Sequence, residues 1–79
     1  MPDFITCTPT EIRVLTELVK DGAENALIGR RLHISMDTVK CHLQRINRRA
    51  KAFNRTDLAL KLARKEIVVV NSDGQAHEF

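Results

Sequence analysis

The stretch that decides the fold is Ser35-Met36-Asp37-Thr38-Val39-Lys40-Cys41-His42-Leu43-Gln44-Arg45-Ile46-Asn47-Arg48-Arg49-Ala50-Lys51. Val39, Leu43, Ile46 and Ala50 recur at spacings of 4, 3 and 4. Such a rhythm is the stripe of an α-helix with one buried side. Ser35 stands where an N-cap belongs, because its hydroxyl can accept from a backbone N–H that the first turn leaves free. The other faces carry Lys40, Cys41, His42, Gln44, Arg45, Arg48 and Arg49. The pattern predicts a helix over about 36–51, apolar on one side and basic on the others.

Immediately upstream, His33-Ile34-Ser35 is too short for anything but a turn. Before it the chain predicts a short helix from Glu24 or Asn25 to Leu32 that buries Ile28 and Leu32. Gly29 in its middle costs about 1 kcal/mol of helix propensity relative to Ala, and the expected reason for it is close approach of another helix. Two short helices joined by a tight turn, the second with a basic exposed side, form a helix-turn-helix candidate over about Glu24 to Lys51. A helix of this kind fits the major groove of duplex DNA. Lys40, Cys41 and Gln44 project opposite the buried stripe and are the side chains expected to reach base edges. Lys40 can donate to guanine O6 and N7, Gln44 can pair with adenine, and Cys41 offers a small apolar surface to a thymine methyl.

The charge distribution supports a polyanionic partner. The whole chain has 79 residues and a formal net charge of +3. From Arg30 to Arg55 there are eight basic residues and one acid, Asp37, so that segment carries +7 and the remainder −4. Local potential of one sign attracts phosphates whatever distant acids do. Taken alone, the charge run fits a solvated helix face equally well; within the helix-turn-helix frame, DNA contact is preferred for Lys40, Arg45, Arg48 and Arg49.

Working outward, Thr8-Pro9-Thr10-Glu11 is a strong helix start. Thr8 suits the N-cap, Pro9 the first helical position, and Glu11 closes a capping box, with Cys7 and Ile12 spaced as a hydrophobic staple. Ile12, Leu15, Leu18 and Val19 form one apolar face, ending near Lys20 before the stop signal Asp21-Gly22. After Phe53, Asn54 can cap a fourth helix with Leu58, Ala59, Leu62 and Ala63 on its apolar side. Ile67-Val68-Val69-Val70 is a short strand or an extended segment packed on the core, and packing is preferred to an open edge. The tail from Asn71 reads as turn or disorder. The expected class is therefore all-α, a four-helix domain with a possible short extended C-terminal segment. Its parts are an arm over 1–7, the binding domain over 8–65 and an extension over 66–79.

Several functions drop out. A chain this short supports one modest core and leaves little room for an enzyme site. No nucleophile–base pair or carboxylate dyad stands out, so no catalysis is expected. Cys7, His33, Cys41 and His42 lack the paired spacing of a zinc site, and no cofactor or metal is expected. Neither a secretory signal nor a membrane span of about 18–20 apolar residues is present, and two cysteines set no disulfide framework. A reduced cytoplasmic protein with no membrane partner is the expectation.

The run Thr8-Pro9-Thr10-Glu11-Ile12-Arg13-Val14-Leu15, then Gly22, Asn25, Ile28, Leu32-His33-Ile34-Ser35, Thr38-Val39-Lys40-Cys41-His42-Leu43, Ile46 and Asn54-Arg55-Thr56, resembles the LuxR/GerE/NarL-type DNA-binding domain. The resemblance spans residues 7 to about 65. It implies a transcription regulator of bacterial type that binds double-stranded DNA as a homodimer, with the third helix in the major groove. The positions matching Lys40, Cys41 and Gln44 face the groove. Those matching Thr38, His42, Arg45 and Arg49 lie near the backbone, as does Asn25, and the fourth helix is often at the dimer contact, for which Leu58 and Leu62 are the candidates here. Arg48 joins the backbone set by its charge, and His42 fits a packed histidine beside Ile46 equally well. Where the family favours Asn-Lys-Glu-Ile-Ala, this chain has Asn25-Ala26-Leu27-Ile28-Gly29, which leaves Leu27 as a candidate partner surface. Where it favours Lys-Leu-Gly-Val, this chain has Arg49-Ala50-Lys51-Ala52, and Phe53 is the candidate to fill the space. Such domains usually follow a receiver or ligand-binding domain, so a stand-alone regulator and an excised fragment both fit the Met1 start. The competing reading is a protein-interaction module, either a sigma region 4-like contact with RNA polymerase or an anti-activator that sequesters another regulator. The capped fourth helix argues for the regulator.

Overall fold

The computed structural model describes residues 1–79. The elements run β1 (Asp3–Thr6), α1 (Pro9–Asp21), α2 (Asn25–Leu32), α3 (Met36–Ala50), α4 (Arg55–Ala63), β2 (Ile67–Val70) and β3 (Ala76–His77). All four expected helices form, and their ends follow from local chemistry. The Thr8 side chain accepts from Glu11 N–H at 3.2 Å while the Glu11 carboxylate accepts from Thr8 N–H at 2.9 Å, so two free donors at the α1 start are satisfied reciprocally. Gly22, at φ 64°, ends α1 in the left-handed conformation. Ser35 caps α3 through Thr38 N–H at 3.1 Å, and Asn54 caps α4 through Asp57 N–H at 2.8 Å.

The turn between α2 and α3 is tight. His33 takes φ 58° and Ile34 N–H donates to the Gly29 carbonyl at 2.9 Å. A Cβ on Gly29 would stand 2.6 Å from the Ile34 carbonyl oxygen. The close neighbour of Gly29 is thus the turn backbone itself, rather than the flank of another helix.

The all-α expectation needs correction. A three-stranded sheet in the order β1-β2-β3 closes the molecule. β1 runs parallel to β2, with Asp3 opposite Ile67 and Ile5 opposite Val69, and β2 is antiparallel to β3. Residues 1–7 are therefore no free arm. Asp3 N–H donates to the Glu66 carbonyl and Cys7 N–H to that of Val70, while Ile5, Ile67 and Val69 point into the core. β2 lies in the middle of the sheet with both edges paired. Beyond it, Asn71 accepts from Asp73 N–H and Gln75 N–H at 2.9 and 3.0 Å, turning the chain into β3 where the sequence read only turn or disorder.

The core draws on every helix and on both longer strands. Val14, Leu15, Ile28, Val39, Ile46 and Leu58 have no exposed surface. Leu27 packs half-buried against this core, so it is no free partner surface. Phe53 is 94% exposed and fills no gap; the smaller Ala52 packs there instead.

One charged residue lies inside. Glu11 is 2% exposed and forms a forked ion pair with Arg49, both hydrogen bonds at 2.7 Å. Arg49 also donates to the Thr6 carbonyl at 2.9 Å. Burial by itself raises the Glu11 pKa, but the hydrogen bonds from Arg49 and from Thr8 N–H outweigh it and hold the carboxyl below its ordinary value. A depressed carboxyl stabilises the fold above its unfolded pKa of about 4.5, and that contribution is lost as pH falls through the lower folded value. Glu11→Gln should cost about 2–3 kcal/mol at neutral pH in urea unfolding, less than a fully buried pair because the guanidinium is partly open to water. In acid the wild-type chain should lose stability more steeply than the Gln variant, so the two curves converge. Parallel curves below pH 4.5 would contradict this account of Glu11.

Candidate nucleic-acid interface

The burial of α3 sorts its side chains into two sets. Val39, Leu43, Ile46 and Ala50 are buried, whereas Lys40, Cys41, Gln44, Arg45 and Arg48 are exposed. Lys40, Cys41 and Gln44 share one side of the helix by their spacing, and nothing in the molecule covers them. Cys41 is a free exposed thiol and Cys7 a free buried one. Burial pushes the Cys7 thiol up from its ordinary value, so it acts as a small apolar residue in the staple beside the Thr8 cap.

The flanking residues differ in how free they are. Arg45 and Arg48 reach solvent unpaired. Thr38 is half-buried, with its hydroxyl 2.8 Å from that of Ser35, so its side chain already serves the start of α3. Asn25, the first residue of α2, is half-buried with no partner for its Oδ1, and His42 is half-buried with no partner for Nδ1. Arg49 stands apart, because its guanidinium is spent on Glu11 and on β1.

The +7 segment is therefore unevenly available. Arg31 is bound by Glu17 at 2.7 Å and by Asp21 at 3.1 Å, and Arg49 by Glu11. Arg30, Lys40, Arg45, Arg48, Lys51 and Arg55 have no acid partner. Arg55 donates from Nη2 to the Ala23 carbonyl, pinning the start of α4 to the loop before α2. No three His, Cys, Asp or Glu side chains converge as a metal-binding set, and no helix is long and apolar enough to cross a membrane.

Two residues beside the exposed trio were not among the expected contacts. Asn47 continues the Lys40–Gln44 side of α3, and Arg55 faces it from α4, both lining one polar cleft with Asn25. Helical spacing carried the signal for Asn47; Arg55 stands in the basic segment, but its place beside Asn47 comes from the packing of α4.

The expectation for α4 needs correction. Leu58 has no exposed surface and belongs to the core, so it cannot meet a second copy. Leu62 is half-buried against the same core, and the outward leucine is Leu60, 45% exposed. The apolar side of α4 has the phase its spacing predicts; the core, not a second copy, takes its Leu58.

Two short helices crossing through a tight turn, an outward polar side on the second, and a capped fourth helix define a helix-turn-helix module. The chain belongs to the luxR family of bacterial regulatory proteins, whose family model matches residues 6–62. Over 58 residues it is 41% identical to the "Monoamine regulon transcriptional regulator" of Klebsiella aerogenes, a stretch covering 73% of this chain and 24% of that protein. Over 60 residues it is 42% identical to the "Putative HTH-type transcriptional regulator YhjB" of Escherichia coli (strain K12), covering 76% of this chain and 30% of that one. The chain thus matches less than a third of the length of these curated relatives. No solved structure matches it significantly.

Truncation separates the two leucines of α4. Leu58→Ala should destabilise the domain by about 2–5 kcal/mol in chemical unfolding, as expected for a core cavity. Leu60→Ala should leave the unfolding midpoint nearly unchanged. Equal effects would place α4 in another phase.

Proposed function

We propose that this chain is a sequence-specific duplex-DNA-binding module of a transcription regulator and acts as a homodimer with α3 in the major groove. The observation that carries the reading is the two-sided character of α3. Its apolar stripe is sealed into the core, while Lys40, Cys41 and Gln44 stand uncovered among unpaired cations. In this reading those three side chains read base edges, and Asn25, Thr38, His42, Arg45 and Arg48 flank the phosphates. Arg49 acts indirectly, by fixing the C-terminal end of α3 against β1 and α1.

Residues 8–65 supply the binding surface, and the strands outside them brace it. Half-buried Leu62 and exposed Leu60 are the α4 residues available to a second copy. The names of the relatives support a role in transcription.

The decisive experiment is selection of bound duplexes from a random library, followed by salt titration on the winner. Enriched inverted half-sites are expected, with log K falling steeply against log salt. Lys40→Ala should lose about 1–3 kcal/mol on the selected site and relax preference at one position per half-site. Unchanged discrimination in that variant, or a flat salt dependence, would remove the support for major-groove reading. Co-purification with RNA polymerase core and no independent duplex binding would favour an interaction module instead.

A further inference from the structure

A polar cleft of about 320 Å³ opens between the first residue of α2, the outer side of α3 and the start of α4. Asn25, Lys40, Gln44, Asn47, Asn54 and Arg55 line it, over a floor that includes Leu43. Four buried side-chain polar atoms in the molecule lack a hydrogen-bond partner, and three of them belong to residues of this cleft: Asn25 Oδ1, Asn47 Oδ1 and Arg55 Nε. Of the three, Arg55 Nε–H is the donor, and a buried donor left without an acceptor is unfavourable and rare in folded domains, so it points to an acceptor supplied from outside.

The chemistry of the walls selects that group. Lys40 and Arg55 bring two cations, and no acid lines the cleft. Arg55 is held in place by its bond to the Ala23 carbonyl, which leaves Nε–H unspent. The amide nitrogens of Asn25 and Asn47 make no hydrogen bond within the chain and, unlike their oxygens, are not buried, so both are free to donate. The start of α2 adds donors, because Glu24 at its N-cap makes no side-chain capping bond. Fixed donors and positive charge without a competing carboxylate fit a tetrahedral oxyanion.

We infer that this cleft seats a backbone phosphate of the bound duplex, held by Asn25, Asn47 and Arg55, with Lys40 and Gln44 at its rim. The inference rests on the DNA-binding reading above and adds Asn47 and Arg55 to the contact surface. A phosphate in this position bridges α2 and α4 across α3. It fixes how deeply the Lys40–Gln44 side enters the groove, so it contributes affinity without reading sequence.

The test uses the full chain with isotope-labelled side-chain nitrogens, the selected duplex, a scrambled duplex and inorganic phosphate. Asn47→Leu should weaken binding to both duplexes about three- to tenfold and by the same factor, while Lys40→Ala erodes the difference between them. Asn47→Asp, which keeps the shape and adds a negative charge, should weaken binding further. The Asn25 and Asn47 amide signals and the Arg55 Nε–H signal should shift on adding duplex. Wild-type affinity in both Asn47 variants, with unshifted signals, overturns the seat and leaves DNA binding standing. Signals that move with inorganic phosphate but not with duplex overturn the backbone assignment in favour of a free-phosphate site. A wild-type chain that binds no duplex overturns the DNA reading itself, and the backbone seat with it.

Discussion

The Glu11–Arg49 ion pair is the contact on which the arrangement of the rest depends. Glu11 is at once the third residue of the α1 capping box and the partner of a guanidinium near the C-terminal end of α3. Arg49 in turn donates to the Thr6 carbonyl at the end of β1. One carboxylate thereby ties together a strand, the start of one helix and the end of another. The end of α3 is far in sequence from β1 and the start of α1, so little local structure could substitute. A carboxylate this buried persists only where its lone pairs are filled, and here backbone and guanidinium donors fill them.

At its other end α3 is positioned by a backbone approach. Gly29 lets the carbonyl of Ile34 come close to α2, and His33 accepts a left-handed conformation that a residue with a Cβ adopts at some cost. With Ser35 capping the next helix, the turn has almost no slack. The exposed side of α3 therefore has a fixed inclination to α2, set by the turn at one end and the ion pair at the other. A helix that must match a groove needs this rigidity more than it needs extra buried area.

Much of this was legible in the sequence because the helices announce themselves locally. Thr8, Ser35 and Asn54 stand at their caps, Gly22 at its stop, and the α3 stripe has a single phase. The sheet was not legible. β1 and β2 are four residues each, and their pairing is parallel across the whole helical domain, so neither segment carries a signal of its partner. The dimer contact on α4 failed for a different reason: Leu58, Ala59, Leu62 and Ala63 form its apolar side by spacing, but periodicity does not say whether such a side meets the core or a second copy. The ion pair of Arg49 was not legible either, since an arginine on a basic helix looks the same whether it meets a phosphate or a buried glutamate. Only the fold brings Glu11 to it.

That distinction also explains how α3 tolerates its charge. Arg45 and Arg49 are one helical turn apart, as are Arg45 and Arg48, and like charges at these spacings repel. Glu11 neutralises Arg49, and the C-terminal end of the helix dipole favours the cations that remain. On the neighbouring helix, Glu17 and Asp21 do the same for Arg31. The acids of α1 thus quench the arginines that hold the fold and leave those of the exposed side unpaired. Moving one such acid within reach of Lys40 or Arg45 would change little in the core, yet it would remove the uncompensated potential that makes this side of α3 a surface for a polyanion.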